Sequence, residues 1–437
     1  MRFLQFFGLL FFVSFLTVSG QDGILDPSFG NNGAYIFQGV SSDSRATSAS
    51  LFTDGSILVA QYSWNHKGSF IKLLGNGTLD PAFGASGVFT LPGSNLTNSV
   101  GIVQSGDKFI SAYSTSSPHT IVVNRYSTNV QKDSTFGING ITSVSFGSSS
   151  VKVKDILIDS QNRIVIGFNQ STNGLGEFGV LRLTAEGFFD QTFGIDGKVT
   201  IPVGNLDMVL YDLDCDITGK IALAGNGLTL SGDNFVVVKL LEDGQLDTQF
   251  SGTGILIYNN SSRGSGTCVK YLSDGRLIVG GYKGNSYNGD FCLLRLLPDG
   301  QLDQSFGNGG SVLTSFTSSV DVAYALHIQN DGRIIAGGYG NIGSLNEANI
   351  SDCALTRYFE DGTLDPTFGN GGKVFSRISN ADEGVYLITS QPDNKFLAAG
   401  YAVANGIQKP MVLRYLIGAS YLYISNISSN EILTVGT

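Results

Sequence analysis

The chain has 437 residues, 58 of them glycine and 9 proline, with charged residues at 14% and a formal net charge of −10. Glycine stands at roughly twice ordinary usage and charge well below the usual ~25%, while a hydrophobic content of 42% excludes disorder and glycine without a triplet period excludes collagen. An acidic chain with no Lys/Arg cluster argues against nucleic acid and anionic membrane as partners.

At the N-terminus, Arg2 precedes a mostly apolar run from Phe3 to Leu16, broken only by Gln5 and Ser14. Val18 and Gly20 then supply the small residues of a cleavage site, so residues 1–20 read as a signal peptide and Gln21 as the first residue of the mature chain. The alternative is a retained anchor, but the run is short for a bilayer and no later stretch reaches ~18 apolar residues. The expectation is a secreted or cell-surface protein with no membrane span in the mature chain.

From there the pattern Asp-x-x-Phe-x-x-x-Gly recurs seven times, at Asp26/Phe29/Gly33, Asp80/Phe83/Gly87, Asp133/Phe136/Gly140, Asp190/Phe193/Gly197, Asp247/Phe250/Gly254, Asp303/Phe306/Gly310 and Asp365/Phe368/Gly372. Eight residues before six of these aspartates stands a basic residue, Lys72, Arg125, Arg182, Lys239, Arg295 and Arg357, and a seventh, Arg414, has no aspartate after it. Each unit reads as four short strands. In the sixth, Val322–Ile328 alternates up to the turn Asn330-Asp331-Gly332, Arg333–Gly337 returns, Ala354–Tyr358 follows a longer loop, and Lys373–Phe375 follows the turn at Asp361-Gly362. No segment carries a helical apolar period.

Four-stranded meanders repeated at roughly 56 residues predict propeller blades. The expected fold is all-β, a single seven-bladed β-propeller of four-stranded antiparallel blades over residues 21–417, with a tail at 418–437 that has β-like character at Tyr421–Ile424. The last unit stops after its third strand at Leu416, so Gly33–Phe37 from the N-terminus is expected to complete the last blade and close the ring.

Leu25-Asp26-Pro27-Ser28-Phe29-Gly30, Leu364-Asp365-Pro366-Thr367-Phe368-Gly369 and Ile328–Gly337 resemble the delta-60 repeat, a module found in tandem in exported, mostly bacterial proteins. The resemblance covers about Gly23 to Leu416, with Lys132 and Phe189 in place of the leucine and Ser251 in place of the glycine after phenylalanine. It implies a propeller and brings no activity or catalytic residues.

A residue present in every unit is needed by every blade. The basic residue and the aspartate flank the second hairpin turn at equal distance and face each other across it, which predicts one ion pair per blade and places Arg414 on Asp26 at the ring closure. Function is sought where units differ, in the loops between second and third strands and between blades, all on one face. Tyr62, Trp64 and His66, Tyr282 and Tyr287, and Tyr339 are the candidate ligand contacts there, suited to sugar or protein; the alternative is that the tyrosines end strands by packing.

Asp212, Asp214 and Asp216 alternate along the innermost strand of the fourth unit, on the face opposite Tyr211, Leu213 and Cys215. Asp155 and Asp159 hold corresponding places in the third, in an orientation that need not bring the two sets together. Such oxygen-rich groups would suit calcium, the one cofactor considered; solvation in the channel or loop contacts is the other reading. His66, His119 and His327 lie on different units without a zinc spacing, no GxSxG occurs, and Gly338–Gly343 matches GxGxxG with no helix after it. Cys215, Cys268, Cys292 and Cys353 show no disulfide framework and read as buried free thiols, two bridges in any of three pairings being the alternative. The expected function is a monomeric exported binding or surface-interaction module that meets an extracellular protein or glycan on its loop face, binding being favoured over catalysis, which the sequence leaves open. The alternative is a carbohydrate-binding lectin or a carbohydrate-active enzyme using the same face.

Overall fold

Strands of apolar alternation joined by Asp-Gly-type turns fold back on themselves, and each group of four forms one antiparallel sheet. The computed structural model describes residues 22–418 apart from 94, 173, 203–206, 230–231, 259–262, 285–287, 342–349 and 394, with the backbone of 18–19, 420–422 and 433–434. The sixth sheet runs Asp321–Ile328, Ile334–Asn341, Ser351–Tyr358, Lys373–Ser376 in spatial as in chain order, and five others repeat this meander. No helix occurs among the described residues. The seven sheets are the blades of a propeller, as the repeat predicts.

The innermost strands are Ser44–Leu51, Leu96–Ser105, Ser150–Ile158, Asp207–Cys215, Arg263–Tyr271, Asp321–Ile328 and Glu383–Gln391. The seventh blade continues with Lys395–Ala404 and Ile407–Leu416 and takes its outer strand from the N-terminus, where Ala34–Ile36 pairs Ala34 with Leu413 and Ile36 with Met411. The short strand Ile24–Leu25 pairs with the same strand nearer its end, Ile24 opposite Leu416. Outside the ring, Val18–Ser19, Ser420–Leu422 and Leu433–Thr434 form a small antiparallel sheet; Tyr423, Ile424 and most of residues 1–20 lie outside the described residues.

The core lies between blades. One cluster joins Ile121, Val123 and Phe136 of the second blade to Val151, Val153 and Leu181 of the third, and another joins Cys268, Leu293 and Phe306 of the fifth to Ala323, Leu326 and Tyr358 of the sixth. Burial of two faces per sheet accounts for the low charge and makes the blades stabilise one another.

The repeated glycines serve the turns. Gly187, at φ +86, sits where an added Cβ would lie 2.5 Å from the Phe136 ring of the preceding blade, and Gly77, Gly244, Gly300 and Gly362 meet Phe29, Phe193, Phe250 and Phe306 in the same way. The phenylalanine of one repeat thus packs on a left-handed glycine of the next.

One feature breaks the alternation. In six blades a bulge interrupts the pairing of the innermost strand, inserting Thr47, Lys154, Tyr211, Thr267, Tyr324 and Tyr386 at the same level. The pairing of the second blade is also irregular, between Leu96 and Val100. Innermost strands run from the loop face toward the turn face, and each bulge falls at the fourth or fifth residue of its strand, so the bulges form a ring about midway down the central channel from its loop-face mouth.

Candidate functional site

The repeated charges face each other across the second hairpin turn of each blade: Lys72–Asp80 at 3.0 Å, Arg125–Asp133 at 2.7 Å, Lys239–Asp247 at 3.7 Å, and Arg182–Asp190, Arg295–Asp303, Arg357–Asp365 and Arg414–Asp26 each at 2.8 Å. The arginines do more than pair. Arg182 Nε donates to Asp190, Nη2 to Thr192 at 3.1 Å, and Nη1 to the Glu242 carbonyl of the next blade, while its guanidinium lies 4.4 Å from the Phe193 ring. Arg295 and Arg414 repeat the arrangement on Ser305, Glu360 and Phe306, and on Ser28, Gly75 and Phe29. Asp, Phe and the basic residue therefore form one structural unit per blade, joined by Ser or Thr in all but the units with Ala82 and Gln249, and the site lies elsewhere.

The aromatic candidates are only partly brought together. Trp64 is 60% exposed at the tip of its hairpin in the first blade. Tyr62 is buried beside it, its hydroxyl 3.3 Å from His66 Nδ1, which donates to the Leu96 carbonyl at 2.9 Å. Arg45, directly opposite Tyr62 in the sheet, lies over the Tyr386 ring at 5.4 Å and hydrogen-bonds that tyrosine. Tyr386 packs edge-on to Tyr324 at 5.1 Å and stacks on Tyr401 at 5.6 Å; Tyr324 meets Tyr339 at 5.8 Å. Tyr282 is near enough to both Tyr339 and Tyr211 to act on their hydroxyls, and Lys154 lies over the Tyr211 ring at 5.1 Å. Tyr287 lies outside the described residues.

The result is an arc of tyrosines around the loop-face side of the channel, crossing the fourth to seventh blades and flanked by Arg45 and Lys154. Burial raises the hydroxyl pKa of Tyr211, Tyr282, Tyr324, Tyr339, Tyr386 and Tyr401, which keeps them neutral hydrogen-bonding groups. Tyr211, Tyr324 and Tyr386 were absent from the sequence candidates because they sit on bulges. One signal marked two of them: Tyr211 and Tyr386, like Lys154 and Thr267, stand equally far ahead of their blades' basic residues, Lys239, Arg414, Arg182 and Arg295.

The bulge ring lines a cavity of about 330 Å³ in the channel to which the innermost strands of all seven blades contribute, Lys154, Asp155, Asp212, Asp214 and Lys270 among its residues. The bulge corrects the expected faces of the fourth blade's strand. Met208, Leu210 and Leu213 point to the core, Asp212 and Asp214 to the channel, and Tyr211 belongs with the channel rather than opposite the aspartates. The three aspartates are not gathered. Asp212 accepts the Val269 N–H at 2.8 Å, Asp214 accepts that of Tyr271 at 2.7 Å and lies 3.4 Å from Lys270 Nζ, and Asp216 caps its turn through Thr218 and Lys220. Asp155 meets Asp212 in a carboxyl–carboxyl hydrogen bond, while Asp159 pairs with Arg163 at 2.7 Å. Burial and the Asp212 charge hold the Asp155 carboxyl well above the usual carboxylate range. No group of three His, Cys, Asp or Glu able to hold a metal occurs among the described residues. The four cysteines are free thiols.

Residues 218–250, 272–306 and 329–368 match the family model described as a domain of unknown function (DUF5122) beta-propeller, which supports a propeller repeat family across the fourth to sixth units. No curated protein matches the chain in sequence. Among solved structures, the polysaccharide lyase Uly1 aligns with a TM-score of 0.50 at 8% identity, covering 91% of this chain and 96% of its own. A PL25 ulvan lyase aligns at 0.43 and 8% identity, covering 92% and 95%, and an arabinanase from Bacillus subtilis at 0.30 and 12%, covering 72% and 92%. The likeness to Uly1 is one of fold.

Proposed function

We propose that the chain is an exported propeller of delta-60-type repeats that binds a glycan on the loop-face side of its channel. The observation that carries this reading is the tyrosine arc, in which Tyr324, Tyr339, Tyr386 and Tyr401 pack ring on ring around the channel with buried, neutral hydroxyls. Aromatic faces with adjacent hydroxyl donors suit the apolar faces and hydroxyl rims of sugars. The Asp-x-x-Phe-x-x-x-Gly unit supplies the scaffold that holds these side chains, and the signal-peptide pattern at residues 1–20 is the basis for placing the protein outside the cell or on its surface.

Calorimetric titration with a panel of neutral and acidic oligosaccharides tests this. At least one saccharide is expected to bind, with Tyr386→Leu weakening it by about tenfold or more. Absence of any binding, or binding indifferent to Tyr386→Leu and Tyr324→Leu, overturns the reading. A second reading, a glycan-cleaving enzyme, draws on the hydrogen-bonded Asp155–Asp212 carboxyl pair in the channel; it alone expects new reducing ends to appear on incubation with a bound polysaccharide.

A further inference from the structure

We propose that the glycan recognised in the channel is anionic, a uronic acid or sulfated saccharide whose acid group is received by Lys154 with Arg45 beside it. This rests on the glycan reading above and adds the class of saccharide. The protein as a whole is acidic, with a net charge of −10, yet the ring of bulge residues in the channel carries a cation and no carboxylate. Thr47, Tyr211, Thr267, Tyr324 and Tyr386 are uncharged; Lys154 is the charged member among the described ones.

The surroundings of Lys154 are those of an uncompensated charge. Its ammonium lies over the Tyr211 ring, and the charges that act on it are Arg45 and Lys152, both of its own sign. Asp155, the next residue, offers no neutralisation: its carboxyl accepts the Ile156 N–H at 2.8 Å and is turned to Asp212, with which it hydrogen-bonds, and burial holds it well above the usual carboxylate range. Lys270, lower in the channel, is held by Asp214. Burial, reinforced by Arg45 and Lys152, pushes the Lys154 ammonium down to about 8. A fold that keeps a half-buried cation against like charges loses stability by it, and an anion at that point relieves the penalty. The cavity, at about 330 Å³, is at the small end of the usual range for ligand sites and has room for the end of a chain rather than for a folded polymer.

The test is calorimetric titration of the full mature chain with three probes of equal length: a hexuronate trisaccharide, a sulfated trisaccharide and a neutral trisaccharide. At low salt and about pH 7 at least one acidic probe is expected to bind about tenfold tighter than the neutral one, the stronger of the two identifying carboxylate or sulfate ester as the recognised group. Raising the pH to about 9, past the Lys154 value, is expected to weaken the acidic probe severalfold and the neutral one little. Lys154→Met is expected to bring the acidic probe down to the neutral one's affinity and to remove this pH dependence. That variant deletes an unpaired buried charge, so its thermal midpoint is expected at or above the parent's. Equal affinity for acidic and neutral probes overturns the proposal and leaves the glycan reading standing, as does an acid preference that survives both Lys154→Met and Arg45→Gln. Failure of all three probes to bind overturns both.

Discussion

Asp26 and Arg414 are 388 positions apart in the chain and within 2.8 Å in the fold. Asp26 also accepts the Ser28 N–H at 2.9 Å and the Ser28 hydroxyl at 2.6 Å, and lies 3.3 Å from Lys395 Nζ. Both members of the pair are at most 5% exposed, so Asp26→Asn leaves a buried guanidinium without its carboxylate. Chemical denaturation is expected to register a loss of about 3 kcal/mol for this variant. Six further blades repeat the pair, which gives acid unfolding a definite sign. Burial opposes the charge on Asp26, Asp190, Asp303 and Asp365, but hydrogen bonds from the following Ser or Thr and the basic neighbours outweigh it and lower each pKa; on Asp133 the bond from Lys108 leads. The stabilisation from these groups is complete above their unfolded value of about 4 and is lost as pH falls through the lower folded values. Stability is thus expected to stay level across the weakly acidic range and to drop steeply below about pH 4; a decline setting in near neutrality contradicts this.

At the scale of turns and strands, what the sequence made legible and what it concealed have one physical cause. Turns repeat because backbone geometry demands the same residue types each time, and Gly187 is an instance: left-handed, with the Phe136 ring against its Hα. Gly187→Ala is expected to cost more than the about 1–2 kcal/mol of the backbone alone, because the ring must also move. Gly106→Ala, at φ +63 with open space around it, is expected to cost only the backbone term. Equal losses in the two variants would contradict the packing role of the glycine. A bulge leaves a fainter mark, an offset from the repeated basic residue that several blades share, with no fixed residue type. One inserted residue reverses the in–out alternation beyond it, so reading the fourth innermost strand by period two places Tyr211 on the wrong side and leaves Tyr324 and Tyr386 unnoticed. Trp64 and His66, by contrast, are conspicuous in sequence, and they sit on the hairpin of the first blade, linked to the arc through Tyr62 and Arg45.

Seven blades make one ring only if the ends of the chain meet. In six successive blades the amide after the repeated phenylalanine donates to a carbonyl in the next blade's turn: Gly30 to Asn76, Gly137 to Glu186, Gly194 to Asp243, Ser251 to Asp299, Gly307 to Asp361, and Gly369 to Asp22. Asp22 therefore acts as the missing turn of the seventh blade, and its carboxylate pairs with Arg357 at 2.5 Å and accepts the Gly418 N–H at 2.6 Å. This closure was readable because the count of strands ended one short at Leu416 while a spare strand stood at Ala34. Deleting residues 22–37 is expected to abolish the single cooperative unfolding transition and to expose the Ile407–Leu416 edge to aggregation. A truncated chain that still melts in one sharp step contradicts the closure. The proposed export leads to a further expectation, that the N-terminus of the mature protein begins at Gln21.

The central claim is that the ring positions a binding site on the loop-face side of its channel, on side chains that the bulges bring there. A crystal structure of the mature chain with a bound oligosaccharide tests it most directly. The account expects a sugar ring against Tyr324, Tyr339 or Tyr386, with its acid group toward Lys154. A saccharide seated on the turn face, or on Trp64 with the channel empty, would contradict it.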